Sequence, residues 1–240
     1  MKKGKLYGIG IGSGDPDFIT LKAAKVIKSV DLIFVPRSSE KVESLAESIA
    51  IDLLDDDMDV VELAFPMTND PKVLEENWIK AATQINDKLI TGKDIAFLTL
   101  GDPSLYSTFT YLSKSLRKID KDVVIEVVPG VSSPFACAAA AGVTLAEGSQ
   151  KVAIVPMNDN EESLARTIDD FDTIVILKIG RHLERLLKLI ESKGLEKSSV
   201  IIKSVGLPEE VILKDMRAVK DNENVGYFST AIIKKEIDQC

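Results

Sequence analysis

Residues 97–109 are "FLTLGDPSLYSTF", in which an apolar run typical of a strand ends in Gly-Asp-Pro and passes directly into a helical pattern. A similar order occurs near the start of the chain, at residues 7–24, "YGIGIGSGDPDFITLKAA". Glycine permits a sharp turn and lets a ligand approach the backbone closely. Two glycine-aspartate turns at the ends of strands therefore predict a site for a small molecule.

Around these turns, apolar runs alternate with helical patterns through the first half of the chain. Such alternation predicts a mostly parallel sheet that is covered by helices on both faces. The predicted strands are residues 5–11, 31–36, 94–100 and 123–130, and the predicted helices are residues 20–30, 41–54, 70–90 and 103–119.

Pro129-Gly130 marks a change of pattern, because a small and apolar helix is predicted directly after it, at residues 131–142. The second half then alternates strands and helices again. Its predicted strands are residues 151–157, 173–179, 199–205 and 227–235, and its predicted helices are residues 162–171 and 181–194. We therefore expect two α/β lobes, residues 1–130 and 131–240, with a ligand cleft between them.

Composition excludes several classes of protein. The formal net charge of −8 argues against a nucleic-acid partner, which needs a basic surface. No apolar run reaches the roughly 20 residues of a membrane-spanning helix, and the first residues do not form a signal peptide. The two cysteines, Cys137 and Cys240, lie outside any Cys/His cluster, so we expect neither a metal site nor a disulfide framework, and a cytoplasmic location.

The spacing of the glycines excludes the common nucleotide sites. With glycine at positions 8, 10, 12 and 14, the dinucleotide pattern G-x-G-x-x-G would need glycine where Ser13 or Asp15 stands. No Gly-Lys pair is followed by the Ser or Thr of a phosphate-binding P-loop, and no G-x-S-x-G nucleophile elbow occurs.

Asp102 limits the ligand further, since it is placed to cap the predicted helix that begins at Pro103. A carboxylate there occupies the positive helix end that a phosphate would need. The turn therefore favours a ligand with hydroxyl groups or positive charge, and S-adenosylmethionine offers both. The alternative at this point is that Asp102 only caps a helix.

The chain resembles the tetrapyrrole methylase family, S-adenosylmethionine-dependent enzymes of corrin and sirohaem synthesis, over nearly its whole length. Within the family it is most similar to the branch that methylates C20 of precorrin-2 or cobalt-factor II. The segments that carry the resemblance are, in order, residues 10–27, 31–38, 98–112, 127–142, 173–181 and 227–235.

The resemblance implies the tetrapyrrole methylase fold of two α/β lobes, with the cofactor in the cleft between them, and a homodimer. The cofactor-binding residues that it implies are Leu100, Gly101, Asp102, Leu105, Ser132, Ser133, Lys178, Ile179, Gly206 and Thr230. We also expect Arg37 and Arg181 to bind the carboxylates of the tetrapyrrole, and Asp15 to face the cleft, although Asp15 equally suits a loop cap.

Three positions depart from the family or stay undecided. Ser13 stands where many relatives have proline, and Pro36 stands where members that methylate uroporphyrinogen have an acidic residue, which argues against that activity. No general base is assigned, and His182, the one histidine of the chain, suits a structural role better than metal ligation. Two other functions stay open, namely another activity of the family (a different ring carbon, or diphthine synthase) and a non-catalytic tetrapyrrole-binding protein.

Overall fold

The structure is a computed structural model that describes residues 2–37, 44–66, 68, 70–158, 160–219 and 226–235. The chain divides into two compact units, Met1–Ser132 and Ser133–Cys240, which we call unit 1 and unit 2. Each unit contains one five-stranded sheet. The predicted α/β class is therefore confirmed.

The sheet of unit 1 is parallel throughout, as the sequence predicts. Its strand order is β3-β2-β4-β1-β5, so the first strand pairs with both the fourth and the fifth. The strands are β1 (Leu6–Gly10), β2 (Leu32–Arg37), β3 (Val60–Ala64), β4 (Ile95–Thr99) and β5 (Ile125–Val128).

Helices cover both faces of this sheet. They are α1 (Leu21–Ile27), α2 (Leu45–Ala50), α3 (Pro71–Leu89) and α4 (Thr108–Ile119). Polar side chains fix where they begin, since the hydroxyl of Thr20 accepts from the Ala23 N–H and the carboxylate of Asp70 accepts from the Lys72 N–H. Of the predicted helix 41–54, residues 41–43 lie outside the described residues.

The helices divide between two hydrophobic cores. Ile27 of α1 and Ile49 of α2 pack with Ile9 and Leu98 on one face of the sheet. On the other face, α3 and α4 pack against the strands, for example through Leu112. The connection after β1 thus leads to one face and the connection after the adjacent β4 leads to the opposite face. Open parallel sheets bind ligands where neighbouring connections diverge in this way, so the carboxyl ends of β1 and β4 are the expected ligand site, which we call the crevice.

Unit 2 has a mixed sheet in the order β6-β7-β10-β8-β9, in which only β6 and β7 run parallel. A core of Leu, Ile and Ala side chains joins one face of it to α6 and α7, whereas α5 packs along β10 and β8. Its elements are α5 (Ser133–Ala141), β6 (Val152–Pro156), α6 (Glu161–Asp170), β7 (Thr173–Leu177), α7 (Leu183–Ser192), β8 (Ser199–Lys203), β9 (Val211–Lys214) and β10 (Ser229–Lys234).

The structure adds two strands that the sequence does not predict, β3 and β9. Both lie at the edge of their sheet and are only partly buried, so they lack the continuous apolar run that marks the central strands. Among the helices described, none combines the length and the apolar character needed to cross a bilayer.

Candidate functional site

Three loops of unit 1 meet at the carboxyl ends of β1, β4 and β5. The first loop joins the second through an isolated antiparallel bridge between Gly12 and Gly101, in which the Gly101 N–H donates to the Gly12 carbonyl at 2.7 Å. The Ile11 N–H donates to the Thr99 carbonyl at 3.1 Å. The glycine turns that the sequence singles out therefore lie against each other at the crevice between β1 and β4.

Glycines let these loops approach each other. A Cβ placed on Gly10 would lie 2.5 Å from the Gly101 carbonyl oxygen, and one placed on Gly130 would lie closer still to the same atom. Gly101 itself has a φ of +67°, a conformation that residues with a side chain rarely adopt. The floor of the crevice is thus built of backbone, and any side chain at Gly10 or Gly130 would push the loops apart.

The carboxylate of Asp102 ties the second loop to the third. Its Oδ2 accepts from the Gly130 N–H at 3.0 Å. Its Oδ1 accepts from the Ser104 N–H at 2.8 Å and also from the Ser104 hydroxyl. Asp102 is half-buried, so part of the carboxylate stays accessible to a ligand at the rim of the crevice.

These donors also keep Asp102 ionised. Partial burial raises its pKa, but the hydrogen bonds from the Ser104 hydroxyl, the Ser104 N–H and the Gly130 N–H lower it by more. The pKa of Asp102 therefore lies below its ordinary value, and the rim carries a negative charge. A carboxylate of this kind accepts hydroxyl groups, attracts a cation and repels a phosphate.

The prediction that Asp102 caps a helix beginning at Pro103 is wrong. Helix α4 begins at Thr108, and its N-cap is Ser107, whose hydroxyl accepts from the Phe109 N–H at 3.1 Å. The chain turns between these points, and Tyr106 has a φ of +50° there, which a right-handed helix excludes. The helix dipole therefore plays no part in excluding anions at Asp102, and the charge of the carboxylate itself does so.

The other residues implied in unit 1 lie at or near the same sheet edge. Leu100 and Leu105 are half-buried, and Leu100 also packs against the core beneath α1 and α2. Asp15 accepts from the Asp17 N–H at 2.9 Å, which is the loop-cap arrangement. Arg37, at the end of β2, forms an ion pair with Glu62. Ser132 is buried at the end of the unit.

In unit 2, the implied residues cluster after β7 and β8. Lys178 follows β7 with a φ of +60°, and its Nζ lies 5.8 Å from the ring centroid of Tyr227. Ile179 is fully buried in the core, so it can offer a ligand only its backbone. Arg181 is exposed in a short 3-10 turn, Gly180–His182.

Further residues of unit 2 have polar partners of their own. The Gly206 N–H donates to the Glu210 carboxylate at 2.8 Å, and Ser133 is the first residue of α5. Thr230 is buried in β10, and its hydroxyl bonds to the thiol of Cys137. Burial raises the pKa of Cys137 to about 11 despite that bond, so this free thiol is neutral and unreactive at physiological pH.

Sequence reasoning missed Ser104 and Gly10. The order Asp-Pro-Ser allows an aspartate side chain to bond two residues ahead, which is a local signal for Ser104. Gly10 gave no such signal, because its contact with Gly101 joins residues far apart in sequence. Within the described residues, no group of three or more His, Cys, Asp or Glu side chains is arranged to hold a metal ion.

Comparison with known proteins identifies relatives along nearly the entire chain. Residues 5–218 match the family model of tetrapyrrole (corrin/porphyrin) methylases. A Methanocaldococcus jannaschii protein named probable cobalt-precorrin-2 C(20)-methyltransferase is 37% identical, with 96% of each chain covered. The cobalt-precorrin-2 C(20)-methyltransferase of Salmonella typhimurium is 33% identical, with 97% of each chain covered.

A solved structure shows the same fold. It is the uroporphyrin-III C-methyltransferase of Thermus thermophilus in complex with S-adenosylhomocysteine. It superposes with a TM-score of 0.65 at 19% identity, over 96% of this chain and 92% of that one.

Proposed function

The chain belongs to the tetrapyrrole methylase family, and we propose that it transfers a methyl group from S-adenosylmethionine to C20 of cobalt-precorrin-2 in cobalamin biosynthesis. The observation that carries this proposal is the 37% identity to a relative of that name over 96% of both chains. The 33% identity to a second relative with the same named activity supports the choice of ring carbon.

The rim of unit 1 fits the methyl donor. Because Gly10 and Gly130 carry no side chain, the three loops pack backbone against backbone at the Gly101 carbonyl, and Asp102 lies beside this contact. Asp102 supplies an ionised acceptor for ligand hydroxyls and a partner for positive charge. S-adenosylmethionine has ribose hydroxyls, an ammonium and a sulfonium, whereas a nucleotide phosphate would be repelled.

When bound, S-adenosylmethionine supplies an electrophilic methyl group on a good, neutral leaving group. The chain then has to orient the donor and the accepting carbon, and such alignment can supply several kcal/mol of the barrier reduction. Gly101 and Asp102 act in this way, by fixing the position of the donor. We assign no general base, and water or a substrate carboxylate takes the proton that leaves C20.

Cobalt enters as part of the substrate. Both relatives named above act on a cobalt-precorrin, according to their names, which favours the metal-containing macrocycle over metal-free precorrin-2. In this proposal the protein receives the metal already bound in the macrocycle, so turnover on the two macrocycles distinguishes the anaerobic from the aerobic substrate.

The acidic substrate needs local positive charge in a chain of net charge −8. Arg181 is exposed and suits a peripheral carboxylate, since arginine binds carboxylates with two parallel hydrogen bonds. Arg37 would first have to exchange its partner Glu62. The roles of Lys178, Ile179, Gly206 and Thr230 in cofactor binding stay predictions, as do those of Ser132, Ser133, Leu105 and Asp15.

Methyl transfer tests the function directly. The full chain is incubated with S-adenosylmethionine carrying a ¹³C-methyl group, and with either cobalt-precorrin-2 or metal-free precorrin-2. We expect a product that has gained one methyl group, faster with the cobalt substrate, and an NMR signal that places the label on C20. A label on another carbon indicates a different activity of the family, and tight binding without turnover indicates a binding protein.

We also propose a cytoplasmic homodimer without a nucleic-acid partner. An apolar groove of about 470 Å³ between α5 and β6, beside the exposed ring of Phe135, supports self-association. The free thiol of Cys137 supports a reducing compartment, and the net charge of −8 argues against nucleic acid. Light scattering coupled to gel filtration gives the mass of the particle, and a monomer over the working concentration range contradicts the dimer.

A further inference from the structure

The hydrogen bonds of Asp102 leave little room for a ligand. A carboxylate has four acceptor positions, two on each oxygen. Oδ1 already receives both the N–H and the hydroxyl of Ser104, so its two positions are filled. From the residues that the structure describes, Oδ2 receives only the Gly130 N–H, at 3.0 Å, and keeps one position open.

From this geometry we infer that Ser104 is a positioning residue, whose two donors hold the Asp102 carboxylate so that Oδ2 offers its single open position to one ligand hydroxyl. The inference rests on the proposed function for the identity of the ligand, S-adenosylmethionine. The contacts of Ser104 with Asp102 do not depend on it.

Ser104 acts through Asp102 rather than through packing. Its side chain is exposed, and it belongs to neither hydrophobic core of unit 1 among the described residues. If the Ser104 hydroxyl is removed, Oδ1 of Asp102 still accepts from the Ser104 N–H, but one of its two acceptor positions becomes free. The carboxylate could then rotate away from Gly130 or accept water or ligand at Oδ1, and the single orientation would be lost.

The groups that act on the Asp102 charge are all neutral. They are the Ser104 hydroxyl, the Ser104 N–H and the Gly130 N–H, and no charged side chain of the described residues contributes to the shift. Removal of the hydroxyl donor therefore raises the pKa of Asp102. Since protonation destroys the open acceptor, ligand affinity should then be lost at a higher pH than in the wild type.

The test compares the wild type with Ser104→Ala and Ser104→Thr in the full chain. The Asp102 carboxyl is titrated by ¹³C NMR without ligand, its signal being assigned by its loss in Asp102→Asn. The dissociation constant for S-adenosylhomocysteine is measured by calorimetry across the same pH range. Ser113→Ala serves as the control, because the Ser113 hydroxyl donates to the Thr110 carbonyl within α4.

We expect Ser104→Ala to raise the Asp102 titration midpoint and to weaken binding at neutral pH by about 3- to 10-fold, the loss typical of one hydrogen bond. The pH at which binding is lost in acid should rise together with the midpoint of the Asp102 titration. Threonine should restore both values, and Ser113→Ala should change neither.

Two failures are distinguishable. If the wild type binds and Ser104→Ala has the same titration and the same affinity, the positioning role is overturned and the proposed function stands. If the wild type does not bind S-adenosylhomocysteine at all, the proposed function is overturned and the ligand assigned to Oδ2 with it, whatever the titration shows.

Discussion

The Asp102 carboxylate accepts a hydrogen bond from the backbone N–H of Gly130, 28 positions further along the chain, at 3.0 Å. This bond connects the loop after β4 to the loop after β5 across the end of β1. Asp102 therefore both shapes the crevice and lines it, so a substitution there should affect binding and stability to different extents.

Asp102→Ala should weaken S-adenosylmethionine binding by about 10- to 100-fold, because a hydrogen bond to a charged acceptor is worth about 1.5–3 kcal/mol. The free energy of unfolding should fall by only about 1 kcal/mol, since water can replace the lost acceptor for Ser104 and Gly130. Calorimetry and urea denaturation measure the two effects. Asp122→Ala, which removes an exposed carboxylate from another loop, is the control for loss of charge.

Gly10→Ala and Gly130→Ala should each destabilise unit 1 by more than the roughly 1–3 kcal/mol of ordinary overpacking, because the new Cβ meets rigid backbone. Both should also reduce donor binding. Gly142→Ala is the matched control, since its Cβ would meet nothing within 4 Å and only its φ of +67° would cost about 1 kcal/mol. Equal thermal midpoints for the three variants would contradict the close approach of the loops.

Ser107→Ala should destabilise the protein by about 1–2 kcal/mol, because α4 loses its N-cap and the buried Thr99 hydroxyl loses its partner at 2.9 Å. Pro103 is buried outside the helix, so the cost of Pro103→Ala reports its packing and not the helix start. Urea denaturation measures the effect of Ser107→Ala. An unchanged free energy of unfolding for Ser107→Ala would contradict an N-cap at Ser107.

The contribution of Glu126 to stability should depend on pH. Its carboxylate on the edge strand β5 bonds to Lys22 at 2.6 Å and to Lys5, and these bonds lower its pKa from 4.5 to about 2. A lowered pKa in the folded state means that the contribution is present above pH 4.5 and lost as the pH falls towards 2. The thermal midpoint of the wild type should therefore exceed that of Glu126→Gln near neutral pH, and the difference should vanish in acid. The difference should also shrink in about 1 M salt, because Glu126 and Lys5 are only half-buried and Lys22 is exposed, so salt can screen both ion pairs.

The sequence identifies the central strands and long helices, because their buried faces impose clear periodicity. It misses β3 and β9, whose edge positions leave them half exposed. The Asp-Pro order at residues 102–103 is compatible with a helix start and with a side-chain turn. The turn is identified by the hydrogen bond from the distant Gly130 N–H to Asp102 and by the positive φ of Tyr106, neither of which the local sequence shows. Glycine spacing likewise excludes a dinucleotide site and a P-loop. It cannot reveal which loops are in contact, because those contacts join residues that are far apart in the sequence.

The crystal structure of the protein with S-adenosylhomocysteine tests the central claim most directly, through the distance from Asp102 Oδ2 to the nearest ligand hydroxyl oxygen. We predict a single hydroxyl within hydrogen-bonding distance of that atom, with the Gly130 bond intact. A ligand bound elsewhere, or a phosphate group resting on the Gly101-Asp102 turn, would contradict the account.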